Sequence, residues 1–349
     1  MKAGVPQPLM RIHMSVRRAE LLVRLPGVLE DFPRAFANVT NTPSPHGGKH
    51  AGRADTAQMA ISRRALLIGI GAVGATAVAG GGVAYEVPGL RHHIRDLIDP
   101  VPEPSYSVPA QDAHLVSGSF VSPARGGRTV GWSIAYPPGG ATTLPVVLVL
   151  HGRGDDHSSV FGSHAWGRYL TAAVAGGLPR FAIAAADGGD HGYWHRRSDG
   201  DDAQEMLVSE FIPLLASHGL RTRTIGLAGW SMGGYGAILL AERLGSTRCA
   251  ALAVDSPALW TSADATAPGA FDDAADYARN DVFRGRARLR GIPVRVAIGT
   301  SDPFYAATRA FVTGMTPKPV TDFSLGGHDL AFWRHSAPQQ IAFLGRHLG

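Results

Sequence analysis

Residues 113–349 predict an α/β protein with a mostly parallel, doubly wound sheet. Three observations carry this expectation. Runs such as Pro145-Val-Val-Leu-Val-Leu150 are continuously apolar, as strands covered on both faces are. Longer amphipathic or Ala-rich stretches of helix length alternate with these runs. Gly126-Gly127, between the first two strand candidates, reads as a tight turn and gives the sheet an antiparallel start.

The chain has 349 residues, 45% hydrophobic and only 17% charged, which is ample material for a large core. Its formal net charge of +5 is unevenly placed. Residues 1–64 hold ten Lys/Arg against four Asp/Glu, so the remainder comes to about −1. The basic character belongs to the leader, and nucleic-acid binding by the main domain loses its support.

Taken in order, residues 1–58 read as a disordered extension or a mis-assigned start, rich in Pro and Arg. Met59 stands four residues before Arg63, where an initiator would fall. Residues 59–85 carry Arg63-Arg64 followed by an uncharged run from Ala65 to Tyr85, with an Ala77-Val78-Ala79 cleavage-like site. This resembles a twin-arginine export signal, or else a retained membrane anchor, since ~20 apolar residues suffice to span a bilayer. The expected location is therefore exported: secreted, or anchored to the membrane through residues 65–85 and facing outward. Residues 86–112, with Pro88, Pro100, Pro102, Pro104 and Pro109, read as a linker. Within 113–349, strands are expected at 114–121, 129–136, 146–151, 181–186, 224–229, 250–254, 293–299 and 320–325. Helices are expected near 162–176, 203–218, 233–244, 303–313 and 330–347. The single cysteine, Cys249, lies in an apolar run and reads as a buried structural thiol, with no intramolecular disulfide possible.

Chemistry concentrates where strands end. Thr224-Ile-Gly-Leu-Ala-Gly229 reads as a buried strand and Tyr235–Glu242 as a helix, with Gly229-x-Ser231-x-Gly233 between them. Strand, Gly-x-Ser-x-Gly and helix is the setting of a nucleophile elbow. A serine hydroxyl needs a base to take its proton, and the partners should follow in the order acid, then histidine. Pro293–Gly299 runs into Thr300-Ser301-Asp302-Pro303, placing Asp302 at the carboxyl end of a strand. Asp255, ending the preceding strand, is the rival acid. His328 follows in Gly326-Gly327-His328-Asp329, on a flexible loop just ahead of the last helix. An oxyanion would need two backbone donors. Met232 N–H follows the nucleophile, and Arg153 N–H, with Gly154 as the fallback, lies in His151-Gly152-Arg153-Gly154 after the 146–150 strand. His151 is expected to pack and hydrogen-bond beneath the site, and Trp230 to pack.

Leu150-His-Gly152, Gly229-Trp-Ser-Met-Gly-Gly234, Gly299-Thr-Ser-Asp-Pro303 and Gly326-Gly-His-Asp329 with Phe332-Trp333 resemble the esterase-D-like branch of the α/β-hydrolases. That branch includes carboxylesterases, feruloyl and acetylxylan esterases, S-formylglutathione hydrolase and the antigen 85 mycolyltransferases. The resemblance covers about residues 113–349. It implies the α/β-hydrolase fold, a Ser231–His328–Asp302 triad, and an oxyanion hole of Arg153 and Met232 N–H groups. Gly233-Gly234 stands where the mycolyltransferases carry small non-Gly residues, which leans towards hydrolysis. The expected activity is that of a serine carboxylesterase acting on a small-molecule or lipid ester. An acyltransferase on cell-envelope glycolipids and a non-catalytic surface-binding module are the alternatives. Trp194 and His195, in the 187–195 loop, are expected to line a substrate pocket. No cofactor and no metal are expected: Asp199-Gly-Asp-Asp202 lacks the glutamate a calcium loop needs, and Asp155-Asp156-His157 lacks a third ligand. The oligomeric state is left open.

Overall fold

The computed structural model describes residues 103–139 and 143–348. The expectations for 1–58 and 59–85, and most of that for 86–112, lie outside these residues. Among the described residues no helix is long and apolar enough to cross a membrane.

Eight strands form one sheet: β1 (His114–Ser122), β2 (Arg128–Tyr136), β3 (Pro145–Leu150), β4 (Ala182–Ala186), β5 (Arg221–Trp230), β6 (Cys249–Asp255), β7 (Val294–Gly299) and β8 (Val320–Ser324). Their spatial order is β1-β2-β4-β3-β5-β6-β7-β8. β1 and β2 pair antiparallel, as do β2 and β4, and every later pairing is parallel. The β1–β2 connection turns through Gly126 and Gly127 at φ 63° and 82°, a region that glycine enters without strain. This is the expected mixed sheet with an antiparallel start.

The strand interiors are apolar throughout because both faces are covered. Val146, Leu148 and Leu150 of β3 pack with Leu227 and the helix α4 (Met232–Leu244), through Met232 and Ile238. Val147 and Val149 face the other way, against Trp166 and Leu170 of α1 (Trp166–Ala175) and Ile341 and Leu344 of α8 (Leu330–His347). Cys249 is buried and free.

Several elements differ from expectation for identifiable reasons. β5 begins at Arg221 and not 224: Arg221 N–H donates to Leu144 O (2.7 Å), and an irregularity in the β3–β5 register absorbs the extra residues. The first helix starts at Trp166 and not 162, because Asp156 folds its own neighbours into turns by accepting from Ser158 and Ser159 N–H. The helix expected over 203–218 is divided into α2 (Ala203–Met206), a π-helical turn Leu207–Phe211, and α3 (Ile212–Ser217). Pro213 has no N–H to continue the regular ladder, and the chain widens just before it. Two short helices in the 256–290 segment, α5 (Ala274–Arg279) and α6 (Val282–Gly285), were expected as loop. The side chains of Asp273 and Asp281 cap them. α7 (Tyr305–Thr313) and α8 complete the second half.

Candidate active site

Parallel register brings the informative loops to one edge of the sheet. Leu150 pairs with Gly229 and Trp230 with Asp255, while Gly299 pairs with Ser324, so the loops after β3, β5, β6, β7 and β8 all leave at the carboxyl ends. Ser231 lies between β5 and α4 at φ 53° and ψ −121°, an unfavourable backbone region for a residue with a Cβ. The surroundings hold it there. Its N–H donates to Asp255 O (3.1 Å), and its carbonyl accepts from Tyr235 N–H (3.1 Å) and Ala258 N–H (3.0 Å). The flanking glycines let β3, β5 and α4 close together, since a Cβ on Gly233 would fall on the carbonyl oxygen of Leu150.

Ser231 Oγ is 2.9 Å from His328 Nε2, and His328 Nδ1 is 2.8 Å from Asp302 Oδ2. An ionised carboxylate only accepts, so Nδ1 carries the proton and Nε2 is left to accept from the serine hydroxyl. Asp302 is wholly buried at its side chain and also accepts Phe304 N–H through Oδ1 (2.8 Å). His328 is partly open to solvent. The loops that carry the two residues are tied together: Thr300 N–H donates to Ser324 O (2.8 Å) and Ser301 N–H to Gly326 O (3.0 Å). Rings of Phe304 and Trp333 lie against the imidazole, each with its centroid 5.2 Å away.

Directly after Ser231, Met232 N–H opens α4, where backbone donors lack partners within the helix. In the loop after β3, Gly154 N–H is taken by Asp190 O (3.0 Å), which removes the fallback donor. Arg153 N–H has no acceptor among the described residues. His151 lies beneath this loop, buried. Its Nδ1 is 2.8 Å from Gly152 O, and its Nε2 accepts Gly188 N–H (2.9 Å). Burial pushes its pKa down, so a neutral imidazole bridges the two loops. Trp230 packs, as expected: it stacks on His164 with ring centroids 3.7 Å apart, and its Nε1 donates to Asp155.

A family model described as "Putative esterase" matches residues 124–343. The chain belongs to this esterase family. Membership makes it an ester-hydrolysing serine hydrolase with the α/β-hydrolase fold. A search of curated protein sequences finds no match. Solved structures similar to the esterase include a ferulic acid esterase (19% identity, 67% of this chain and 98% of that one covered, TM-score 0.59). A fluorophosphonate-binding serine hydrolase of Staphylococcus aureus, FphF, shares 15% identity over 67% of this chain and 99% of its own, with TM-score 0.58. An S-formylglutathione hydrolase from Agrobacterium tumefaciens shares 15% identity over 70% and 99%, with TM-score 0.57. At these identities the likeness is one of fold.

For the esterase, one alternative falls away and one expectation needs correction. Asp255, the rival acid, does not meet His328: its carboxylate accepts from Ser336 Oγ (2.8 Å) in the core, and burial pushes its pKa up to about 7. Trp194 and His195 were expected to line the substrate pocket, but they are 0% and 2% exposed. Trp194 is pressed between His151 and Gly236 and donates Nε1–H to His151 O (3.2 Å). His195 has both ring nitrogens engaged, by Arg196 O and Ala270 O, each 3.0 Å away. A cleft of about 530 Å³ lies instead beside Phe304, lined by Leu259, Trp260, Ala267, Pro303, Phe304 and Ala307. Trp260 rests edge-on against Phe304 and near Tyr193, and Tyr277 O–H donates to Trp260 O (2.8 Å). Sequence reasoning passed over Trp260 and Phe304; the signal available was an aromatic directly after Asp302-Pro303 and another just past β6.

Proposed function

We propose that the chain is a serine carboxylesterase in which Ser231 is the nucleophile, His328 the general base and Asp302 the residue that orients the imidazole. The observation that carries this reading is the hydrogen-bonded row Ser231–His328–Asp302 at 2.9 and 2.8 Å. His328 Nε2 takes the hydroxyl proton as Ser231 Oγ attacks the ester carbonyl. Negative charge develops on the carbonyl oxygen, and the N–H groups of Met232 and Arg153 are the donors assigned to it. His328 then gives its proton to the departing alcohol, leaving an acyl group on Ser231. Water, deprotonated by the same imidazole, attacks the acyl-enzyme and releases the carboxylic acid and free Ser231.

The acyl group is assigned to the cleft beside Phe304 and Trp260, whose walls are apolar and aromatic. The substrate class is accordingly a small-molecule carboxylic ester. Residues 59–85 are assigned to export, supported by Arg63-Arg64 ahead of the uncharged run to Tyr85. The test is labelling with a fluorophosphonate and mass mapping of the adduct, beside turnover of a 4-nitrophenyl ester. The adduct is expected on Ser231, and Ser231→Ala is expected to lose label and about 10⁶ of turnover while still folding. A folded Ser231→Ala variant that keeps near-normal turnover would falsify the assignment.

A further inference from the structure

A second cleft, of about 470 Å³, opens beside the C-terminal half of α4, against residues 196–204 and the 278–288 segment. Glu242 on this wall is eleven residues beyond Ser231, about 16 Å along the helix axis, so the cleft is separate from the catalytic one. Two of its buried polar side chains each carry an atom without a hydrogen-bond partner: Gln204 is 6% exposed and Glu242 7%, and Gln204 Nε2 and Glu242 Oε1 have no hydrogen-bond partner among the described residues. Buried polar atoms are normally satisfied, and leaving them bare costs free energy. Gly285 opposite leaves room for the carboxyl group, since a Cβ there would strike Glu242.

The charge on the lining is one-sided. Arg196, Arg243, Arg279, Arg284 and Arg288 face it, against the carboxylates of Asp202 and Asp281. Arg243, Arg279 and Arg284 are held in ion pairs by Glu205, Asp276 and Asp281. Arg196 and Arg288 close no ion pair among the described residues. Asp202 accepts Glu205 N–H and Asp281 accepts Phe283 N–H, so both acids have partners. Of the unused groups, the amide NH₂ and the two guanidiniums are donors, and the carboxyl oxygen Glu242 Oε1 is the remaining one. Burial raises the pKa of Glu242 to about 8, which makes its carboxyl a further donor at neutral pH.

We infer that this cleft binds a compact oxyanion, the phosphate, sulfate or carboxylate group of a small molecule, on Gln204, Glu242, Arg196 and Arg288. Guanidinium forks and a neutral carboxyl grip oxygen through charge-assisted and ordinary hydrogen bonds, and the volume suits a small-molecule ligand. Protonated Glu242 donates to the bound anion; ionised Glu242 repels it. Arg288 and Asp281 bear on its ionisation in opposite senses, and Arg243, Arg284, Asp202 and His195 complete the surround. Bound anion therefore favours the protonated carboxyl, and affinity falls as pH rises through about 8.

Titration calorimetry on the full chain tests this with sodium sulfate and sodium acetate, probes whose charge is constant between about pH 7 and about pH 9.5, at fixed ionic strength. Saturable one-site binding is expected for at least one of them; sulfate alone assigns the site to a tetrahedral anion, acetate alone to a carboxylate. Changing the exposed Arg196 and Arg288 together to Gln should weaken it about tenfold or more. Wild-type affinity should drop at the higher pH, and Glu242→Gln should keep its affinity at both. The proposal fails if neither anion titrates, if the double arginine variant binds as wild type does, or if the drop persists in Glu242→Gln.

Discussion

A methyl group decides whether the turn at Ser231 can exist. A Cβ at Gly233 would meet backbone atoms of Leu150 and His151. No side-chain rotation relieves that, so β3 and α4 would have to part. Gly233→Ala is expected to cost about 1–3 kcal/mol, towards the upper end, and to depress turnover by shifting Ser231 and Met232. Gly234 is different: the nearest atom to a Cβ there is Pro257 Cα at 3.0 Å, a contact relieved by a small movement. Alanine also gains helix propensity, so Gly234→Ala should stay within about 1 kcal/mol of wild type. Urea denaturation of both variants checks this, and equal losses at the two positions would contradict the account. The same residues show what could be read in advance. Ser231, Asp302 and His328 each follow a strand in the order the elbow demands, and the fold joins their side chains through hydrogen bonds. Trp260 and Phe304 lie 44 residues apart and acquire meaning only when the sheet brings their loops together. Periodicity carries no such information. Trp194 misled because an aromatic in a loop near the site reads as a pocket wall, whereas Gly188 and Gly236 make room for it beneath.

At the scale of elements, the fold was legible wherever an element was long or doubly covered. β3 and β4 announced themselves as unbroken apolar runs, and α8 matched its predicted span of 330–347. Elements of four to six residues, such as α5 and α6, are too short to show a period and depend on aspartate caps. The cap of α8 matters to the site because it stands next to His328. Asp329 accepts Phe332 N–H (2.9 Å), fixing where the helix begins and so where the preceding loop must end. Asp329→Ala should lower stability by about 1 kcal/mol and reduce kcat more than it changes KM, since the imidazole loses its fixed position. Asp329→Asn, which can still accept that hydrogen bond, should restore most of both. Denaturation midpoints and steady-state kinetics read the two effects; an Asn variant as impaired as Ala would show that charge, and not capping, is at work.

Across the whole molecule, burial of ionisable groups inside an otherwise apolar body couples stability to pH. Glu242 and Asp255 are held in surroundings that raise their pKa to about 8 and about 7. In the unfolded chain both would ionise near the ordinary carboxylate range, so between that range and their folded values the native state holds more protons. Stability contributed in this way is complete at low pH and falls as pH rises through the window. His164, clasped between Trp230 and Trp333, has the opposite sign: its pKa is pushed down to about 3, so it costs stability as pH falls below its ordinary value. Above the ordinary histidine value only the carboxyls contribute, and below it the comparison of one variant with wild type cancels the His164 contribution. Glu242→Gln removes one titrating proton while preserving shape, and nothing in the proposed catalytic row touches it. Between about pH 5 and about pH 8 the wild-type midpoint in urea should decline more steeply than that of Glu242→Gln, by up to one proton's worth of slope, and the two curves should run parallel above it. Equal slopes would mean that the carboxyl is ionised in the folded protein. The same result would remove the hydrogen-bond donor assigned to the second cleft, so this measurement bears on the anion site before any ligand is added.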